Sequence, residues 1–330
     1  MGQLLIHKLL NLFVPPIIFI FLCIIVPHYL FKLLNSILIK PIFFTEDMTG
    51  KVVLVTGASS GVGEQLVYEY ARRKARLVIV ARRKNLLDEV AKKARRFGSP
   101  DVLVACADVT KVDDCERFIE ETIKYFGRLD HLVNNAGLSS LCPFKEAKNI
   151  LNFAPIMDVN FWGSIYATHF AIPHLQKSKG RIVVIASVTG WLPAPRLSFY
   201  AASKAALINF YDTLRVELQP DGIKITIASP GVIDSEMTQG KILSKEGVVK
   251  VDKELMDGMI ETFLLGMIPI ISSESCAKKI VNGACQGDTS VTDPAYYGAF
   301  YLSKVFCPEI VHWSFTWINS LTPVVKKKQQ

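Results

Sequence analysis

The sequence predicts an α/β fold. The expected architecture is a Rossmann-type, doubly wound parallel sheet, preceded by an N-terminal hydrophobic membrane anchor and followed by a C-terminal helical extension. Three observations carry this. Short apolar, β-branched runs such as Lys51–Val55, Leu77–Ala81 and Arg181–Ala186 alternate with longer helix-forming segments, the pattern of a parallel sheet covered on both faces. A glycine-rich turn, Thr56-Gly57-Ala58-Ser59-Ser60-Gly61-Val62-Gly63, joins the first run to the first helical segment. An uncharged stretch over residues 9–31 precedes them both.

With 330 residues the chain is long enough for one large domain with appendages. Half its residues are hydrophobic and mean hydropathy is +0.29, high for a purely soluble protein. The formal net charge is +8, and much of the positive charge lies between Arg72 and Arg96. Those residues fall on predicted helices flanking the sheet and read as a solvated face; with no nucleic-acid motif beside them, a nucleic-acid partner is not expected. The seven cysteines are odd in number and none has Cys-x-x-Cys spacing, so neither a disulfide framework nor a zinc site is expected.

Taken in order, the chain divides into an anchor (1–45), a catalytic domain (46–290) and an aromatic-rich tail (291–330). As one helix, residues 9–31 would be roughly 34 Å long, about the hydrocarbon thickness of a bilayer. The bulky flank His28-Tyr29-Leu30-Phe31-Lys32 offers no small-residue cleavage site, so the segment reads as retained. Pro15-Pro16 is expected to break the run and Pro27 to close it. Two geometries follow: a single-pass helix, or a proline-broken segment that turns back within one leaflet or lies on a monolayer. Lys32, Lys40 and Lys51 outnumber Lys8, which places the catalytic domain on the cytosolic side. Beyond the linker 41–50, strands are expected at Lys51–Val55, Leu77–Ala81, Val102–Ala107, Leu129–Val133, Arg181–Ala186 and Ile223–Ser229. Helices are expected near 62–73, 84–97, 112–126, 149–175 and 200–219.

The chemistry concentrates in Ser187–Lys204. Ser187 ends a predicted strand, where open α/β sheets hold ligands. Tyr200 opens Tyr-Ala-Ala-Ser-Lys-Ala-Ala-Leu, a good helix former, and Lys204 lies four residues on, upon the same face. An ammonium beside a phenol favours the phenolate and makes tyrosine a usable proton carrier near neutral pH.

These residues do not stand alone. The glycine turn follows the first strand, Asn134-Asn135-Ala136-Gly137 the fourth and Pro230-Gly231 the last, while Asn160 lies in Asp158-Val159-Asn160. With Ser187, Tyr200 and Lys204, in this order over roughly residues 48–240, the chain resembles the short-chain dehydrogenase/reductase family. The resemblance implies hydride transfer to a nicotinamide, with Tyr200 moving the proton, Ser187 orienting the substrate oxygen and Lys204 lowering the phenol pKa. Asn160 is then a fourth catalytic residue, holding a water that links Lys204 to solvent. No metal is implied.

In the expected cofactor site Gly57 permits the turn, Gly61 lets phosphate approach and Gly63 packs helix on strand; Ser59, Ser60 and Val62 complete the loop. Strand two ends Ala81-Arg82-Arg83, with arginines where an NAD site places an acid to hold the ribose hydroxyl. An arginine fork pairs with a 2′-phosphate, so the reading is NADP(H), with Arg82 the main contact and Arg83 secondary. The resemblance sets Asp108 and Val109 at the adenine. Asn134, Asn135, Ala136 and Gly137 line the nicotinamide side and steady the sheet, and Pro230 and Gly231 cover the carboxamide.

Leu255–Ile271 is rich in Leu, Met, Ile and Phe, either a cap for a bulky lipophilic substrate or ordinary core. Tyr296, Tyr297, Phe300, Tyr301, Phe306, Trp313, Phe315 and Trp317 form a dense aromatic tail, read as a membrane-interface or homodimer surface. Paired prolines in an apolar N-terminal segment, the catalytic set, Ala-Arg-Arg and this tail together resemble the steroleosins, plant hydroxysteroid dehydrogenase-like proteins of oil bodies. That resemblance implies an NADP-dependent sterol dehydrogenase at a lipid droplet or the endoplasmic reticulum membrane. Two alternatives stay open: another lipid-active ketone or alcohol reductase of the same family, and a largely structural lipid-droplet protein.

Overall fold

The computed structural model describes residues 45–257 and 270–321, with scattered positions between 12 and 31. The chain separates into two compact units, residues 1–46 and 47–330. In the first, the scattered described positions between 12 and 31 are helical, Pro15, Pro16 and Pro27 among them, and Thr45 and Glu46 are not; the residues on either side of the paired prolines, where the expected break would show, lie outside the described residues. Most of the predicted anchor lies outside the described residues. Among the described residues no helix is long and apolar enough to cross a membrane.

The second unit is built on a seven-stranded parallel sheet. Its strands are β1 (Val52–Thr56), β2 (Arg76–Ala81), β3 (Val102–Cys106), β4 (His131–Asn134), β5 (Arg181–Ile185), β6 (Lys224–Pro230) and β7 (Ser290–Asp293). They lie in the order β7-β6-β5-β4-β1-β2-β3. The sequence reading found the first six to within a residue or two. It missed β7, four residues of modest hydrophobicity that pair with β6 from Ser290↔Ile227 to Asp293↔Pro230. Since β7 joins the same sheet, the chain beyond residue 290 begins inside the catalytic domain.

Successive strand residues face opposite sides of a sheet, and here both sides are apolar. Val53 and Val55 look toward α1 (Gly61–Arg72) and α2 (Lys84–Arg96), meeting Leu66, Tyr70, Leu87 and Val90. Val52 and Leu54 look toward α3 (Val112–Phe126), α4 (Gly163–Ser178) and α5 (Ser198–Leu218), meeting Phe118, Leu175 and Tyr211. Helix α6 (Ser273–Cys285) adds Ile280 and Val281 to the first layer. Two more helices, α7 (Tyr297–Phe306) and α8 (Pro308–Leu321), end the described chain.

The single long helix expected over 149–175 is instead a composite. A 3-10 turn (Ile150–Phe153) and one α-turn (Ala154–Met157) lead into a π-helical segment, Asp158–Trp162, before α4 begins at Gly163. Asn160 lies in the π segment, where the widened turn re-aims its side chain.

Candidate active site

The chain order reverses between β1 and β4, and the strands' carboxyl ends there open into a crevice, the place where doubly wound sheets take ligands. A cavity of about 660 Å³ occupies it. One end is walled by Gly57, Ser59, Ser60, Gly61 and Val62 with Arg82, Arg83, Asp108 and Val109. The middle is walled by Asn135, Ala136 and Gly137, and the far end by Ser187, Tyr200, Lys204, Pro230 and Gly231.

The glycine turn is shaped by contact. Gly57 has φ +66°, and a Cβ there would fall 2.7 Å from Ala136 Cα; at Gly63 it would fall 2.3 Å from the Gly57 carbonyl oxygen. Any side chain at either position would separate β1 from α1 or from the turn after β4. Gly63 thus packs helix on strand and, unlike Gly61 and Val62 before it, does not line the cavity. Ser60 precedes α1 in extended conformation without capping it, so its hydroxyl is directed elsewhere.

Of the two roles expected of Asn134, lining the nicotinamide side and steadying the sheet, the structure shows the second. It is buried, and its Nδ2 donates to Thr168 Oγ1 at 2.9 Å and Tyr211 Oη at 3.0 Å, ending β4 against α4 and α5. It braces the sheet and takes no part in the cavity wall, because alternation along β4 turns its side chain into the helical layer. Asn135 faces the other way, donating through Nδ2 to Thr56 O at 3.0 Å and Gly57 O at 3.2 Å, which ties the glycine turn to β4.

Asn160 lies behind the catalytic pair. Its Oδ1 accepts from Leu138 N at 2.7 Å, and its Nδ2 donates to Leu138 O at 2.9 Å and Ser203 Oγ at 2.8 Å. Ser203 Oγ donates in turn to Tyr200 O at 2.7 Å. One amide thereby joins the loop after β4 to the first turn of α5. A methyl placed on Gly137 would stand 3.5 Å from Asn160 Oδ1 and 3.8 Å from Lys204 Nζ, so the three positions are close neighbours.

Ser187 follows β5 and caps a short 3-10 turn: its Oγ accepts from Thr189 N at 3.2 Å and Thr189 Oγ1 at 3.0 Å. Tyr200 and Lys204 share the inner face of α5 as their spacing requires, with Nζ 5.7 Å from the Tyr200 ring centroid. Burial pushes the Tyr200 phenol up to about 12, opposed only by its hydrogen bond with Ser187. Burial also pulls Lys204 down to about 8. The ammonium donates to Ile185 O at 2.7 Å. Loss of hydration is thus the largest influence on both groups in the protein without nucleotide.

Residues 51–247 match the short chain dehydrogenase family. An 11-beta-hydroxysteroid dehydrogenase 1A from Arabidopsis thaliana is 50% identical over 310 residues, covering 94% of this chain and 86% of that one. The chain belongs to the short-chain dehydrogenase family. A short chain dehydrogenase/reductase from Burkholderia phymatum, solved in complex with NAD, superposes with a TM-score of 0.70 at 19% identity, over 80% of this chain and 96% of that one. One from Burkholderia cenocepacia, solved in complex with NADP, gives 0.66 at 23% identity over 81% and 98%. At these identities the two structures speak for the fold alone.

The structure of this dehydrogenase also brings in residues that the sequence reading passed over. Glu236 and Lys241, from the segment after β6, line the glycine-turn end of the cavity, and Glu236 bonds to Arg83 and Lys241. Arg83 is thereby committed, whereas Arg82 stands at the lip with its side chain 71% exposed and only a loose ion pair, 3.8 Å, to Asp108. Leu138, Val188, Leu197, Leu243, Val249 and Met256 give the far end its apolar wall. Of the predicted cap Leu255–Ile271, Met256 lines the cavity, while 258–269 lie outside the described residues. Tyr297, grouped by sequence with the surface aromatics, is 3% exposed and packs on Gly231 at the cavity wall. Loop and tail residues like these carry no periodic signal, so only the fold shows which of them face inward.

Proposed function

We propose that this dehydrogenase transfers hydride between NADP(H) and the alcohol or ketone of a sterol-like substrate. The observation that carries the reading is a single cavity with Ser187 and Tyr200 at one end and the glycine turn with an exposed Arg82 at the other. The cradle fits a dinucleotide. In this reading Ser59, Ser60, Gly61 and Val62 take the phosphates, Arg82 a 2′-phosphate, and Asp108 and Val109 the adenine. Asn135, Ala136, Gly137, Pro230, Gly231 and Lys204 take the nicotinamide end, and all of them line the cavity.

When bound, the nicotinamide supplies or accepts the hydride. The chain's part is to hold the oxygen of the reacting carbon and to move its proton. Ser187 Oγ and the Tyr200 hydroxyl stand beside the apolar wall formed by Leu138, Val188, Leu197 and Met256, and a substrate oxygen bridging them is fixed for reaction. In reduction the Tyr200 phenol gives its proton to the forming alkoxide and is left as phenolate; in oxidation the reverse holds, and the phenolate takes the proton from the carbinol and becomes the neutral phenol. The apolar wall excludes water and favours a bulky hydrocarbon frame over a sugar. The name of the Arabidopsis relative supports a hydroxysteroid as the class of substrate.

The proposed setting is a lipid-droplet or endoplasmic reticulum surface, with the catalytic domain toward the cytosol. The uncharged stretch 9–31 supports it, as do the exposed Phe300, Tyr301, Trp313 and Trp317 of α7 and α8. A second copy of the chain is the other candidate to cover those aromatics. Purified protein assayed against a panel of hydroxysteroids and ketosteroids with both nicotinamides tests the function. Turnover with NADP(H) that disappears in Tyr200→Phe supports the reading; no turnover of any steroid in the panel overturns it. Flotation of a tagged full chain with isolated lipid droplets tests the setting.

A further inference from the structure

The segment between β6 and residue 241 crosses directly over the phosphate end of the cavity. A Cβ added to Gly61 would lie 3.3 Å from Ser235 Cβ. The next residue, Glu236, gathers side chains from three separate segments. Its Oε1 accepts from Arg83 Nη1 at 2.8 Å, and its Oε2 from Arg83 Nη2 at 3.0 Å, Ser60 Oγ at 2.9 Å and Lys241 Nζ at 2.7 Å. Arg83 Nη2 also reaches Ser59 Oγ at 3.0 Å and Ser60 Oγ at 2.8 Å. The fork-to-carboxylate pairing is the strong, directional kind. The Arg83 guanidinium, with smaller help from Lys241 and Ser60, holds the Glu236 carboxyl down near 2, so the charge is present at every physiological pH.

Every one of these bonds to the carboxylate comes from a side chain. Ser60 spends its hydroxyl on Glu236 and makes no capping bond to α1, so the amides of the first turn of α1 keep their capacity for a phosphate. The carboxylate bridges the rim of the site and leaves its backbone floor to the ligand. On one side of the bridge is Arg83, at the junction of β2 and α2; on the other is the strand-to-loop segment after β6. Both line the cavity, as does the turn beneath them.

We propose that Glu236 is a clasp for the dinucleotide: its pairing with Arg83 closes the rim over the phosphate turn, and bound nucleotide leaves when that pairing opens. The proposal rests on the nucleotide-binding reading of the cavity. It assigns a positioning role to a residue that touches neither the reacting carbon nor the nicotinamide. The side chains of Arg83, Glu236 and Lys241 are 36%, 38% and 34% exposed, so the clasp is open to screening by salt.

The test is the rate at which NADPH and NADH leave the loaded full-length enzyme, followed by nucleotide fluorescence after mixing with excess oxidised cofactor. Glu236→Gln keeps the shape and removes the charge. The expected result is release of both nucleotides about tenfold faster than from wild type, with a weaker dependence on ionic strength. Lys241→Gln weakens the same carboxylate from its other side and is expected to give a smaller acceleration in the same direction. It carries the test should Glu236→Gln fail to fold. Unchanged release in the variants overturns the proposal. So does tighter NADPH binding with NADH unaffected, which would make Glu236 an internal occupant of a 2′-phosphate site. A wild-type chain that binds neither nucleotide overturns the reading beneath the clasp, and the clasp with it; wild-type binding with unchanged variant release removes the clasp alone.

Discussion

Lys204 Nζ donates to the carbonyl oxygen of Ile185 at 2.7 Å, so the catalytic ammonium is tied to the end of β5 rather than to the phenol one turn away. Lys204 is buried and Tyr200 half-buried at the cavity wall, and each is shifted toward its neutral form. A site arranged in this way stores unfavourable charge for use in the reaction, which sets the stability of the free protein against its chemistry.

Lys204→Met should therefore abolish turnover yet raise the stability of the nucleotide-free protein by about 2 kcal/mol, a few degrees in Tm. Folded Lys204 titrates near 8 against a usual 10.5. Between those values the folded chain binds fewer protons than the unfolded one, so wild-type stability gains on the variant as pH rises. The gap should be widest below pH 8 and close toward pH 10.5. Thermal unfolding of both proteins across this range is the measurement, and a gap that widens with pH would contradict it.

Arg82→Ala should raise the Michaelis constant for NADPH roughly tenfold and leave that for NADH within about twofold, because the lost contact is to the 2′-phosphate alone. Arg82 is 71% exposed and engaged only loosely with Asp108, so its removal should not lower the unfolding temperature. Steady-state kinetics with each cofactor give the answer; equal losses for both would assign Arg82 to the shared part of the nucleotide.

Asn160→Ala removes three hydrogen bonds, two to Leu138 and one to Ser203. A loss of about 2–3 kcal/mol in denaturant unfolding is expected, since the partners are left buried. Turnover should fall as well, because Tyr200 loses the support that reaches it through Ser203. Wild-type turnover in a destabilised Asn160→Ala would limit this side chain to the fold.

Gly231→Ala places a methyl 2.4 Å from Tyr297 Cε2. The ring is enclosed by Val188, Leu192 and Val311, so it has little room to yield. Overpacking of this kind costs about 1–3 kcal/mol. The double variant Gly231→Ala with Tyr297→Leu should recover part of that loss, a coupling that a double-mutant cycle in urea would measure.

The parallel sheet was legible because its strands are apolar on both faces: Val52 to Val55 form an unbroken buried run, and a glycine turn marks where the first one ends. Ser187, Tyr200 and Lys204 were legible for a local reason too, since one strand end and one helical turn bring them together. The sequence gives weaker notice of long-range arrangement. It could not show that Asn134 turns into α4 and α5 while Asn135 turns to the glycine loop, or how strongly burial acts on Tyr200 and Lys204. Nor could it show a π-helical turn at Asn160, because a five-residue widening leaves the surrounding 3.6-residue pattern nearly unchanged. Arg83 looked like a free partner for phosphate until the segment carrying Glu236 was placed beside it, more than a hundred residues later in the chain.

The place of Tyr297 bears on how this enzyme can be handled in the laboratory. A chain trimmed just after Asp293, to rid it of its greasy last helices, would still carry every strand of the sheet and every group that touches the reacting atoms. It would nonetheless lose the ring that backs Gly231, together with the Val311 and Phe315 packing behind it. Solubility gained by such shortening would come with a breached chamber, because part of the terminal aromatic cluster is masonry.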